Sequence, residues 1–522
     1  MIKRISLDNL LDYLSIILIS FTVNFIYGSI GVLAQDTFAY FDTAFRILQG
    51  STPFKDYWTV SGPFIDFYQA FFFFIFGVSW KSYIIGSSLI NVFITIIIFN
   101  FFKIYDFSRG LNLFYSICFS ILANPSMGSP FPDHFSAFFS LAAITLFLIF
   151  VKNKKANILY FIPLLFFISF FSKQTPASYL FVSFLIILLT YFFLYKKLFF
   201  VKYFLISSFF CFLLFFLIIS AQKINFQAFL DQYIFYPKSI GSERLDNLNF
   251  DIMIHLASFK FIYIPLIFIL LRLLLIFWKG KIEIEKNKEE ILIYMSLLLI
   301  SFSLIFHQIL TMNFIFIFFS IPLLVIFLHK VFKKKNKFNN SIRILLILFT
   351  VFTTIKYHYR FNEDRKMLNL EKVKLETAVD SLKIDEKLKG LKWISIKYQK
   401  NPLNEIKIIN EIIDIVKKDK NRLMFYSDYI FLSALLNKDL NTPTRWPSLK
   451  DASNPSKKNE FHEVYLNFVK KIIKQKKIEV IYSTIDKEND IFYLIFNEKC
   501  KNSKEISEVL IKHDIKSCIK VK

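Results

Sequence analysis

Residues 35–67, QDTFAYFDTAFRILQGSTPFKDYWTVSGPFIDF, follow the first long apolar run of the chain and combine carboxylates, cations, Gly-Pro punctuation and an apolar stripe. Phe38, Phe41, Phe45 and Leu48 recur at spacings of three and four, which predicts one apolar face of a short helix. Thr37, Asp42, Thr43, Arg46 and Gln49 fill the other positions, and Gly50 is a C-terminal stop. Such a helix suits a membrane interface, apolar face down and polar face toward water. Asp36 stands at its expected start, where aspartate is also a common N-cap for a helix beginning at Thr37.

Outward from this stretch the chain is too apolar for an ordinary soluble protein. Of 522 residues 55% are hydrophobic, in long runs, and the mean hydropathy is +0.47. With 69 Phe against 11 Gly, a single aromatic carries little information. The net charge of +24 lies partly in short loops between apolar runs and partly among acids in the last third, with no nucleic-acid-binding motif, so no nucleic-acid partner is expected. The first apolar run lacks a small-residue cleavage site and reads as an uncleaved span.

The hydropathy pattern predicts an α-helical polytopic membrane protein with about eleven transmembrane helices, near 11–33, 82–102, 111–124, 136–151, 157–171, 177–195, 203–221, 260–278, 291–306, 314–329 and 341–356. Phe67–Phe76 is too short to span and reads as interfacial or re-entrant. Loops at residues 1–4, 103–109, 152–155, 196–202, 279–290 and 330–337 carry Lys or Arg beside span ends, which assigns them to the cytoplasm together with the N-terminus. The complementary loops, 34–81, 124–135, 172–176, 222–259 and 307–313, then face outward with the tail. The expected plan is a multi-span domain, 1–356, holding a first outer loop (34–81) and a long outer loop (222–259), followed by a soluble extracytoplasmic α/β domain, 357–522. In that tail, strand candidates 393–396, 423–426 and 480–483 alternate with helix candidates 402–418 and 461–476. Cys500 and Cys518 lie in the tail and are expected to pair; Cys118 and Cys211 lie in spans as packing residues.

Ionisable residues near span ends are costly unless they are paired or line a wet cavity. On the outer side these are Asp36, Lys55, Asp56, Asp133, His134, Lys173, Gln174, Lys238, Glu243, Arg244, His307 and Gln308. Each has a duller reading. Asp56 fits a turn in P-F-K-D, Asp133-His134 a helix N-terminus after F-P, and Lys173 a snorkelling cation. His307-Gln308 with Thr311 and Asn313 fits a buried hydrogen-bond network, and Arg445-Trp446 a structural loop rather than a ligand platform. The histidines lack regular metal-ligand spacing, so a divalent metal is left open and no cofactor is assigned.

A span followed by Asp36, then Ala44, Ile47, Leu48 and Gly50, then Pro53, Phe54 and Asp56, then Gly62-Pro63, resembles the GT-C superfamily of multi-span glycosyltransferases. That group includes protein mannosyltransferases and lipid A aminoarabinose transferases. Gln35 stands where the family often has a second acid, and Gly62-Pro63 where it often has Pro-Pro. The resemblance implies inverting transfer of a sugar from a polyprenyl-phosphate donor to an extracytoplasmic lipid, glycan or protein acceptor at the bacterial cytoplasmic membrane. It makes Asp36 the base. Lys173 and Arg244 would hold the lipid phosphate, and Lys55, Asp56, Asp133, His134, Gln174, His307 and Gln308 would shape the substrate site. A transporter or flippase of lipid-linked sugars, and a polysaccharide polymerase or ligase, are the alternatives.

Overall fold

The structure is a computed structural model that describes residues 7–31, 34–246, 248, 252–314, 316–332, 336–366, 370–371, 375–447, 453–484, 495–496 and 502–519. In chain order the helices run α1 (Leu7–Tyr27), α2 (Ala34–Leu48), α3 (Pro63–Phe76), α4 (Trp80–Ile104), α5 (Arg109–Ala123), α6 (Pro132–Asn153), α7 (Phe161–Ser172), α8 (Gln174–Tyr195) and α9 (Phe200–Ala221). They continue with α10 (Phe226–Leu230), α11 (Tyr236–Asp246), α12 (Ile252–Trp278), α13 (Lys281–Lys286), α14 (Lys288–Thr311), α15 (Ser320–Val331) and α16 (Lys337–Tyr359). The C-terminal part adds α17 (Pro402–Lys418), α18 (Leu432–Leu435) and α19 (His462–Gln475).

Among the described residues eight helices are long and apolar enough to cross a membrane: α1, α4, α6, α8, α9, α12, α14 and α16. The chain is a multi-pass helical membrane protein by this measure, but with eight candidate spans rather than the expected eleven. The three that fall short are α5, α7 with its preceding 3₁₀ turn, and α15. At ~1.5 Å per residue, a helix of the length of α15 reaches about 18 Å of a ~30 Å hydrocarbon layer. Their sequences are apolar enough to bury; their length is what fails.

The chain forms two compact units, which do not follow a single cut in the sequence. The first contains Met1–Gly28, Ile84–Phe215 and Leu248–Val373. Its centre is α6, buried on every side from Pro132 to Thr145, as expected of a helix apolar all round. Small polar side chains join its helices, as is usual where lipid removes the hydrophobic drive between spans. The Nδ2 group of Asn91 donates to the carbonyls of Ser20 (3.1 Å) and Ser120 (3.2 Å). That of Asn24 donates to the Gly128 carbonyl at 2.9 Å, which the Ser87 hydroxyl also reaches at 2.5 Å.

The second unit contains Ser29–Tyr83, Phe216–Asn247 and Lys374–Lys522. Its sheet has four strands, β1 (Leu423–Tyr426), β2 (Val480–Thr484), β3 (Asn502–Ser507) and β4 (Leu510–Asp514), in the order β1-β2-β4-β3. β1 and β2 pair in parallel and the other two ladders are antiparallel. Parallel neighbours need a long crossover, and α19 lies in this one. Trp393, expected to begin a core strand, belongs instead to a two-residue ladder, Lys392–Trp393 against Val379–Asp380. Its indole donates to Glu405 on α17 at 2.7 Å. Cys518 is disulfide-bonded, while Cys118 and Cys211 are free thiols; Cys500 lies outside the described residues.

In the same unit α2 begins at Ala34, not Thr37, so Asp36 stands inside the first turn rather than at the cap. Gly50 ends the helix in the left-handed region (φ 88°), with the Ser51 N–H returning to the Arg46 carbonyl at 2.9 Å. The expected water-facing side is absent. Thr37, Asp42, Thr43 and Arg46 are all buried; Arg46 is covered by Asp439 and the Thr442 carbonyl, and Thr43 by Asp66 of α3. Of the apolar stripe Leu48 is exposed, and of the polar positions Gln49, just past the end of the helix, is exposed.

Gly128 offers a sharp test of the first unit. Its φ is +67° and an added Cβ would stand 2.1 Å from the Gly28 nitrogen. Gly128→Ala is therefore expected to cost roughly 3 kcal/mol, read as a lowered thermal midpoint of the detergent-purified protein. An unchanged midpoint would refute the tight approach of this loop to the end of α1.

Candidate functional site

Each unit holds a buried cluster of ionisable groups that includes residues near the expected site. In the first unit Asp133 follows Pro132 at the N-terminus of α6, where a missing N–H costs nothing and a carboxylate is favoured by the helix dipole. The side chain is buried. Its Oδ2 accepts from the Lys173 Nζ at 2.7 Å, and its Oδ1 lies 2.5 Å from the His307 Nε2. Lys173 is placed by the junction of α7 and α8. The Ser136 hydroxyl donates to the Lys173 carbonyl at 3.0 Å and accepts from the Ala177 N–H at 3.1 Å. His307 projects from the last turns of α14. One carboxylate thus holds two basic groups, and Lys173 keeps a quarter of its side chain exposed.

His134, next to Asp133, does not join this trio. It is buried among the rings of Phe131, Phe138 and Phe316, at centroid distances of 5.8, 5.7 and 4.8 Å. Gln308 is structural: its Oε1 accepts from the Phe316 N–H at 3.0 Å and so ties the end of α14 to the following loop. The Gln174 carbonyl accepts from the Ser178 hydroxyl at 2.8 Å in the first turn of α8.

In the second unit Asp36 is partly exposed in the first turn of α2. Asp56 takes the turn role. Its Oδ2 accepts from the Thr52 N–H at 2.9 Å and its Oδ1 faces the Lys476 Nζ at 3.3 Å. Lys55 is exposed beside it, and Lys238 and Arg244 are exposed on α11. The loop between α2 and α3 is held by Gln232, whose side chain accepts from the Thr59 N–H (2.8 Å) and donates to the Phe54 carbonyl (3.0 Å). Gln232 lies in the π-helical turn Asp231–Phe235, a distortion that often re-aims side chains.

The larger charge network of this unit was not visible beforehand. Arg46 reaches Asp439 (3.0 Å), Asp42 (3.9 Å) and the Thr442 carbonyl (2.7 Å). Arg445 pairs with Asp66 and donates to the Ser61 carbonyl. Asp66 also accepts from Thr43 (2.5 Å) and Tyr57 (3.0 Å). The Tyr57 ring lies against both guanidinium groups, 4.9 Å from Arg46 and 5.4 Å from Arg445. Burial pushes the Asp42 carboxyl up to about 7 against the pull of Arg46. Burial pushes Asp439 the same way, but there Arg46, two hydrogen bonds and Lys476 bring the net value below the usual range. Only the i,i+4 spacing of Asp42 and Arg46 signals any of this locally. Arg445-Trp446 is accordingly a structural loop.

Among the described residues no three His, Cys, Asp or Glu side chains gather as a metal-binding group. Compared with known proteins, the chain matches no family model and no curated protein.

The Asp133 trio predicts unequal costs for its members. Asp133→Ala leaves the buried His307 and the partly exposed Lys173 without their shared counter-charge and is expected to destabilise by roughly 3 kcal/mol. Lys173→Met leaves Asp133 its His307 partner and costs less. The double variant recovers part of the Asp133→Ala loss in thermal or denaturant unfolding. Strict additivity of the two would refute the coupling.

Proposed function

We propose that the chain is a GT-C-type glycosyltransferase of the bacterial cytoplasmic membrane, with the N-terminus in the cytoplasm and the second unit outside. The observation that carries the reading is the contrast between the two acids of α2. Asp42 is buried against Arg46, whereas Asp36 is a partly exposed carboxylate in the first turn. A general base needs an accessible, ionised carboxylate, and a helix N-terminus favours the charged form.

In this reading Asp36 takes the proton from the acceptor hydroxyl as its oxygen bonds to the anomeric carbon of a polyprenyl-phosphate sugar. The bond from that carbon to the phosphate oxygen breaks, the configuration inverts, and polyprenyl phosphate leaves as an anion. Its charge calls for cations. Arg244 and Lys55 are exposed in the same unit as Asp36. Lys173, in the first unit, uses one of its three donors on Asp133. Asp56 supports the loop through Thr52 rather than by touching substrate.

A flippase of lipid-linked sugars is the second reading, because a buried Asp-Lys-His trio on spanning helices is also what a proton relay requires. Purified protein is tested for transfer of radiolabelled sugar from polyprenyl-phosphate donors, wild type beside Asp36→Asn. Loss of about 10²–10⁴-fold in the variant, with an unchanged thermal midpoint, is the expected result. A fully active Asp36→Asn protein removes Asp36 as base. Donor movement across proteoliposomes without transfer favours the flippase.

A further inference from the structure

The first unit contains a groove unrelated to either cluster. Ile264, Pro265 and Phe268 of α12, Val325 and Leu328 of α15, and Leu346 and Phe349 of α16 enclose a furrow of about 260 Å³ whose wall is almost wholly apolar. Two features open it. α15 is only 12 residues long, so it cannot fill the depth between its longer neighbours. Pro265, inside α12, also removes a backbone hydrogen bond.

One end of the groove is basic. Phe349 packs on Phe261 at a centroid distance of 6.0 Å. The Phe261 ring carries the ammonium of Lys260 at 5.4 Å and that of Lys356 at 5.2 Å. No ion pair joins either lysine to an acid among the described residues. From Lys260 to Trp278 along α12, and from Lys356 back to Lys337 along α16, is in each case about 27–29 Å at ~1.5 Å per residue, the thickness of the hydrocarbon layer. Both lysines therefore stand at the same membrane interface, with the groove beneath them.

We propose that this groove is a binding site for an anionic phospholipid, one acyl chain lying along α12, α15 and α16 and the phosphate bridging Lys260 and Lys356. An apolar furrow facing hydrocarbon admits a chain, and two cations held on one ring repel each other until an anion joins them. A zwitterionic lipid supplies the same chain without the net charge.

The test is native mass spectrometry of the full-length protein titrated with phosphatidylglycerol and, separately, with phosphatidylcholine of the same chains. Wild type is expected to prefer phosphatidylglycerol by roughly 10- to 30-fold, from about one lysine-headgroup contribution per cation. Lys260→Gln with Lys356→Gln abolishes the preference while retaining chain binding. Leu346→Trp, which fills the furrow, lowers retention of both lipids. Equal binding of the two lipids by wild type overturns the proposal, as does an unchanged preference in the double lysine variant. Binding of glycerol phosphate in place of the lipid reduces the site to the headgroup alone and overturns the groove. A dimer crosslinked through Leu346→Cys in lipid-replete membranes overturns it in favour of a second copy as occupant.

Discussion

The second unit depends on two buried arginines and the tyrosine between them. Arg46 comes from α2, Arg445 from a loop 379 positions beyond Asp66, and Tyr57 from the segment that joins α2 to α3. Every charge in the group has an opposite partner, and the guanidinium groups also donate to the backbone carbonyls of Thr442, Asp56 and Ser61. Such a network adds little net stability over an apolar core, yet loss of one member exposes the desolvation cost of the rest. It acts as a register device. The helix carrying Asp36 can take one rotation only, the one that turns Asp42 and Arg46 inward and leaves the first turn partly open.

The first unit is governed by a different constraint. Its helices lie in an apolar setting, so cohesion comes from asparagine, serine and glycine contacts rather than from apolar burial alone. Asn24, Ser87 and Gly128 join three chain segments at one carbonyl. The Asp133 trio is the costly exception, three ionisable groups among spanning helices, and it closes on itself through both carboxylate oxygens.

Much of the first unit was legible in the sequence because hydropathy reports directly on a long buried helix. Each of the eleven apolar runs holds a helix among the described residues, though the first stops at Tyr27 and the run at 314–329 is helical only from Ser320; the error concerned which of them are long enough to span. Hydropathy does not distinguish a short helix buried by protein from a longer one buried by lipid. Lys173, Asp133 and His307 were each singled out for their place near span ends, and they meet; His134 and Gln308, chosen by the same rule, serve aromatic packing and a loop tie. The second unit was less legible. On α2 the polar positions matched a water-facing side, and nothing local announces that Asp439 and Arg445 cover it. The contact that turns a polar face inward belongs to residues hundreds of positions away, and periodicity has no access to that. The hairpin formed by β3 and β4 was missed for a related reason: Lys504 and Glu505 dilute the alternation expected of a strand.

The discontinuity of the second unit also bears on how the protein is made. Its pieces are synthesised at three separate times, in the order Ser29–Tyr83, Phe216–Asn247 and Lys374–Lys522. While most of the chain is being inserted, Arg46, Asp42 and Asp66 already exist, but Asp439 and Arg445 do not. The pairs of Arg46 with Asp439 and of Asp66 with Arg445 therefore form only after residues 439–445 have been made. A chain that stops before Asp439 keeps the pair of Asp42 with Arg46 but lacks the later partners of Arg46 and Asp66.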